Sequence, residues 1–125
     1  MKAEELRVGN LVCECEFTDN SVWQHKVEGI LDGKAYFDNG DIWECEKLVP
    51  IPLTEEWLVR FDANQYKPVK GLYFIYDHTF LFENGSISLY DPDRCVHVSN
   101  KYSYVHQLQN LYFALTGEEL KLKEL

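Results

Sequence analysis

The stretch Leu31-Asp32-Gly33-Lys34-Ala35-Tyr36-Phe37-Asp38-Asn39-Gly40-Asp41-Ile42-Trp43 carries two hairpin signals in quick succession. Asp-Gly and Asn-Gly tolerate the positive φ that both central positions of a type I′ turn require, so each predicts a reversal between antiparallel strands. Lys34 to Asp38 and Asp41 to Lys47 then read as the third and fourth strands of a meander. Upstream, Leu11, Cys13, Cys15 and Phe17 alternate with Glu14 and Glu16, the period of a half-buried strand. Thr18-Asp19-Asn20-Ser21 is a polar turn, and Val22 to Leu31 sets Trp23, His25, Val27 and Leu31 opposite Gln24, Lys26 and Glu28. Several short, twisted strands in so little chain bury both faces only by curling, which predicts an SH3-like small β-barrel over residues 1–52.

Beyond it, Val49-Pro50-Ile51-Pro52-Leu53 reads as an extended connector, because each proline disfavours helix in the residue before it. Thr54 is an N-cap with Glu55 and Glu56 well placed against the helix dipole, which predicts a short helix to Phe61 burying Trp57, Leu58 and Phe61. A second antiparallel meander follows: Leu72 to Tyr76, Thr79 to Glu83, the Asn84-Gly85 signal, Ser86 to Tyr90, the Asp91-Pro92-Asp93 turn, and Arg94 to Val98. Ser103 caps a final helix to about Leu115, with Val105, Leu108, Leu111, Tyr112 and Leu115 on one stripe and Gly117 at its end. The expected class is α+β, an N-terminal SH3-like barrel followed by an antiparallel sheet packed with a short helix and a C-terminal helix. The expected division is 1–52 and 53–125, within one compact unit.

Composition agrees with a folded domain: 125 residues, 46% hydrophobic and 14% aromatic. The acidic, polar start and the lack of a long apolar run predict neither export nor membrane spanning, so the expected location is cytoplasmic. In that compartment Cys13, Cys15, Cys45 and Cys95 are expected as thiols. The net charge of −9 argues against nonspecific nucleic-acid binding and anionic membranes. The acidity is concentrated in residues 1–62, with 14 acids against 6 bases.

Four constellations carry chemistry. Cys13, Cys15, Cys45 and His25 share the expected inner face of the first meander and are zinc-type ligands, although Cys-x-Cys on a straight strand holds its sulfurs too far apart. As no cofactor is expected, they read first as small buried hydrophobes, with a zinc protein or enzyme as the alternative. Cys95 and His97 suggest a nucleophile and its base but lack an orienting group, so a buried cysteine beside a half-buried histidine is expected. Glu14, Glu16, Glu28, Glu44 and Glu46 fall on outward strand faces. A solvated face that blunts edge pairing explains them, and the functional reading is a docking surface for a basic protein partner. Tyr73, Phe74, Tyr76, Phe80, Phe82, Tyr102 and Tyr104 exceed what one sheet face easily buries; core shared between sheet and helix is the commoner explanation, and an interface or a homodimer is the functional one. His106 reads as solvated, off the helix's apolar stripe, and no phosphate loop, nucleophile elbow or dinucleotide fingerprint occurs.

Three patches carry a resemblance: Met1-Lys2-Ala3-Glu4-Glu5-Leu6-Arg7-Val8-Gly9-Asn10-Leu11-Val12, Pro50-Ile51-Pro52-Leu53-Thr54-Glu55-Glu56-Trp57-Leu58, and Tyr104-Val105-His106-Gln107-Leu108-Gln109-Asn110-Leu111-Tyr112-Phe113-Ala114-Leu115-Thr116-Gly117-Glu118-Glu119-Leu120. Together they resemble a family of small uncharacterised proteins associated with prophages and mobile elements of gut bacteria. The resemblance implies a genomic context and no activity, catalytic residue or ligand. The function expected is therefore that of a noncatalytic accessory protein acting by protein-protein contact through the acidic or the aromatic surface.

Overall fold

The structure, a computed structural model, describes residues 1–13 and 24–123. The fold is α+β, with a curled four-stranded antiparallel half-barrel, a second antiparallel sheet and two helices. The chain divides into two units, Met1–Ile51 with Val105–Glu119, and Pro52–Tyr104 with the tail from Leu120. The C-terminal helix, which a linear division at residue 52 leaves in the second part, is grouped with the first.

In the first unit, strands β1 (Leu11–Cys13), β2 (Gln24–Leu31), β3 (Lys34–Phe37) and β4 (Ile42–Glu44) pair in chain order. Asp32-Gly33 forms the expected tight turn, with φ of 52° and 73° between the paired Leu31 and Lys34. Asn39-Gly40 does not. There the last pair is Tyr36 with Ile42, Phe37 N–H reaches the Asp41 carbonyl at 2.9 Å, and Gly40 has a φ of 90° in a wider loop. The fourth strand is also shorter than expected, because Cys45–Lys47 coils into a 3-10 turn that buries Cys45. After that turn Val49 bridges back to β1, exchanging hydrogen bonds of 3.0 Å with Cys13 in both directions, so the sheet curls toward closure.

A bulge corrects one sequence expectation. Pairing slips from Val27↔Phe37 to Gly29↔Tyr36, which leaves Glu28 as the extra residue and inverts the alternation beyond it. Ile30 therefore packs inward beside Ala35, whereas Leu31, expected on the face of His25 and Val27, is 60% exposed. The core holds Leu6, Val12, Val27, Ala35, Phe37, Cys45 and Leu48.

Helix α2 (Val105–Thr116) completes this unit. It ends as expected at Gly117, whose φ is 74° and whose N–H donates to the Phe113 carbonyl at 2.8 Å. Val105, Leu108 and Tyr112 of the expected stripe are buried, but so are His106 and Gln109.

The second unit opens with helix α1 (Glu55–Arg60), capped as expected by the Thr54 hydroxyl, which accepts from Trp57 N–H at 3.4 Å. Trp57, Leu58 and Phe61 are buried. The meander is β5 (Asn64–Gln65), β6 (Leu72–Ile75), β7 (His78–Glu83), β8 (Ser86–Asp91) and β9 (Val96–His97), all antiparallel in chain order. His78, expected in a turn, begins β7. Tyr73, Ile75, Phe80 and Ile87 share one face and are buried. Gly71 is required where it stands, since with a φ of 84° an added Cβ would meet the Phe82 carbonyl oxygen at 2.5 Å. Beyond β9, Tyr102 exchanges two 2.8 Å backbone hydrogen bonds with Ile87, returning the chain alongside β8. Among the described residues, no helix is long and apolar enough to cross a membrane.

Candidate functional site

The zinc constellation does not assemble among the described residues. Pairing sets Val12 opposite His25 and Cys13 one residue on, so Cys13 and His25 project to opposite faces of the sheet rather than to one inner face. His25 is half-buried, its ring edge-on to Phe37 at 6.3 Å, with Nδ1 3.7 Å from Asp38 and Nε2 3.4 Å from the Asn39 amide nitrogen. Cys45 lies in the core, where burial raises its pKa above the ordinary thiol value and keeps it protonated. No three His, Cys, Asp or Glu side chains converge on a metal-sized space among the described residues, and Cys15 lies outside them.

Cys95 and His97 part company as well. Cys95, expected to be buried, is exposed in the turn before β9, at a φ of 55°. The turn is fixed by the Asp91 carboxylate, which accepts from Asp93 and Arg94 N–H at 3.0 and 3.3 Å. His97 Nδ1 instead meets the Ser88 hydroxyl at 2.6 Å, and its Nε2 lies 4.0 Å from Glu83. The order Ser-His-Glu resembles a hydrolytic relay, but Ser88 is 1% exposed, within β8 and closed to any substrate. The cluster ties the edge strand β9 to β8 and β7.

The acidic residues divide. Glu14 and Glu16 lie outside the described residues. Glu28, Glu44 and Glu46 are all exposed, though not on one wall. Glu28, displaced by the bulge, borders a depression of about 450 Å³ shared with Glu119 and Lys26. Glu44 and Glu46 open on a larger groove of about 630 Å³, where Glu4, Glu5 and Asp32 join them against Lys2 and Lys34. Three local features build its rim: the 3-10 turn Ala3–Glu5, the Asp32-Gly33 hairpin, and the 3-10 turn that follows β4. Sequence reasoning missed Glu4, Glu5 and Asp32 because they lie on no strand. The signal present was the Glu4-Glu5 pair in a short polar segment beside Met1 and Ala3, both of which pack on the core.

The aromatic surplus largely disappears into the fold. Tyr73 and Phe80 are buried, Phe74, Phe82 and Tyr102 half-buried, and Tyr104 just exposed, leaving Tyr76 in the open at 80% exposure.

The most connected polar cluster was not anticipated. The Gln109 side chain bridges the edge of β1, accepting from Leu11 N–H at 2.9 Å and donating to the Gly9 carbonyl at 3.1 Å. The wholly buried Asn10 accepts from Arg7 N–H at 2.7 Å and donates to Asn110 at 2.8 Å. Arg7 adds a hydrogen bond to Asn110 at 3.2 Å, an ion pair with Glu119, and a stacked contact 4.2 Å above the Phe113 ring. These residues come from two segments, 7–11 and 109–119, about a hundred positions apart in the chain, which the fold brings together.

His106, expected in solvent, is 2% exposed. Burial pushes its pKa below the ordinary 6.5, opposed in part by the Glu5 carboxylate. A base whose pKa falls on folding stabilises the fold fully above its unfolded value of 6.5, and that contribution is lost as pH drops toward the folded value. The melting temperature should therefore fall below pH 6.5, with a limiting loss of about 1.4 kcal/mol per pH unit from this group. A melting series from pH 7.5 to 5 on the parent and on His106→Leu tests this. The variant should show the shallower decline, and parallel profiles would refute the assignment.

No protein-family model, curated protein or solved structure matches this chain.

Proposed function

We propose that this is a noncatalytic accessory protein that binds a basic protein partner through the acidic groove of its first unit. The observation carrying this reading is the convergence of Glu4, Glu5, Asp32, Glu44 and Glu46 on one rim against two lysines. Such a rim attracts a positively charged surface and speeds its association, most strongly at low salt. The resemblance to prophage and mobile-element proteins is consistent with an accessory role.

The test combines Glu4→Gln, Glu5→Gln, Glu44→Gln and Glu46→Gln in one chain and compares its retention of partners from host extract with that of the parent and of Glu28→Gln. Because rim charges act chiefly on association and are screened by salt, the expected weakening is about tenfold at low ionic strength and smaller at high salt. Glu28→Gln should behave as the parent. Equal retention by all three at low salt would remove the groove from the function.

A further inference from the structure

The two Asn-Gly dipeptides, alike in sequence and both exposed, differ in what the fold does to the reacting atoms. Asn39 is held on both ends of its amide: Oδ1 accepts from Asp41 N–H at 3.0 Å and Nδ2 donates to the Asp41 carboxylate at 2.9 Å. The following nitrogen is engaged too, since Gly40 N–H donates to the Phe37 carbonyl at 3.0 Å. Asn84 and Gly85 instead form the two-residue tip between the paired Glu83 and Ser86, with φ of 53° and 77°. Among the described residues, the Asn84 side chain and the Gly85 N–H have no hydrogen-bond partner, whereas the space at the Cβ position is open at Gly40 and Gly85 alike.

We infer that Asn84-Gly85 is a site of spontaneous covalent modification, deamidation through a succinimide, and that Asn39-Gly40 is protected from it by the fold. The Gly85 backbone nitrogen, losing its proton to water or hydroxide, attacks Asn84 Cγ. The new C–N bond closes the five-membered imide, the Cγ–Nδ2 bond breaks, and the amide nitrogen takes up a proton and leaves as ammonia. Water then adds to either imide carbonyl, and ring opening gives aspartate or isoaspartate at position 84. One water is consumed and one ammonia released, with no other reactant. Glycine as the following residue removes the Cβ that hinders the attack elsewhere. The modification adds a negative charge at the hairpin tip. The isoaspartyl product also lengthens the backbone by one carbon inside a two-residue turn, which undoes the closure between Glu83 and Ser86.

The experiment incubates the folded full-length chain at mildly alkaline pH and follows two tryptic peptides by mass spectrometry. Cleavage after Lys70 and Arg94 isolates Asn84, and cleavage after Lys34 and Lys47 isolates Asn39. At least two further hydrogen bonds must open before Asn39 reacts, so the Asn84 peptide should deamidate about tenfold faster or more. In urea the two rates should converge. The variant Asp41→Ala, which removes the 2.9 Å carboxylate partner of the Asn39 amide nitrogen and leaves it only the 3.4 Å contact with His25 Nε2, should raise the Asn39 rate in the folded protein. Native reaction at Asn39 as fast as at Asn84 would overturn the inference. So would failure of both sites to react when folded, a tenfold gap that persists in urea, or an unchanged Asn39 rate in Asp41→Ala.

Discussion

Replacing Gln109 with leucine is expected to destabilise the protein by about 2–4 kcal/mol, because it strands two backbone groups at once. The Gln109 carboxamide is 2% exposed and supplies the acceptor for Leu11 N–H and the donor for the Gly9 carbonyl. Leucine fills nearly the same volume, so the loss comes from unpaired polar groups rather than from a cavity. Against a typical total stability of about 5–15 kcal/mol, this is a large fraction. Urea unfolding measures it, and hydrogen exchange localises it, since the Leu11 amide should lose protection. An unfolding midpoint equal to the parent's would mean that α2 is held by its apolar stripe alone.

The larger expected effect is that of Phe80→Ala, a loss of about 3–5 kcal/mol. Phe80 is wholly buried in β7, the central strand of the second sheet, in register with Tyr73 on one side and Leu89 on the other. A ring removed from the middle of a sheet leaves a void that paired neighbours cannot close. Val98→Ala is the control: an apolar side chain of the same unit, 60% exposed, whose loss should change stability by about 0.5 kcal/mol or less. Comparable losses in the two variants would contradict the burial assigned to Phe80.

The acidic surface was legible only in part. Glu28, Glu44 and Glu46 were readable as outward residues because strand alternation is a local property. Their separation was not, because a single bulge at Glu28 re-aims one residue and a 3-10 turn after Glu44 re-aims another. Glu4, Glu5 and Asp32 reach the same rim from a turn and a hairpin, where no periodicity announces direction. The expected shared face of Cys13 and His25 was lost for a related reason, as one step of register separates them.

The sequence by itself determined the strand-rich α+β class, the Asp32-Gly33 and Asn84-Gly85 hairpins, the Thr54 cap and the extent of both helices, all of which depend on backbone preferences within a few residues. Tertiary structure alone decided that α2 belongs with residues 1–51, because helical periodicity marks a buried stripe without saying what covers it. It also decided that Gln109 and Asn10 are buried, since each is costly alone and stable only with partners about a hundred residues away in the chain. The two Asn-Gly dipeptides mark the same limit: identical in sequence, one closes a two-residue turn while the other is clamped by Asp41 in a wider loop.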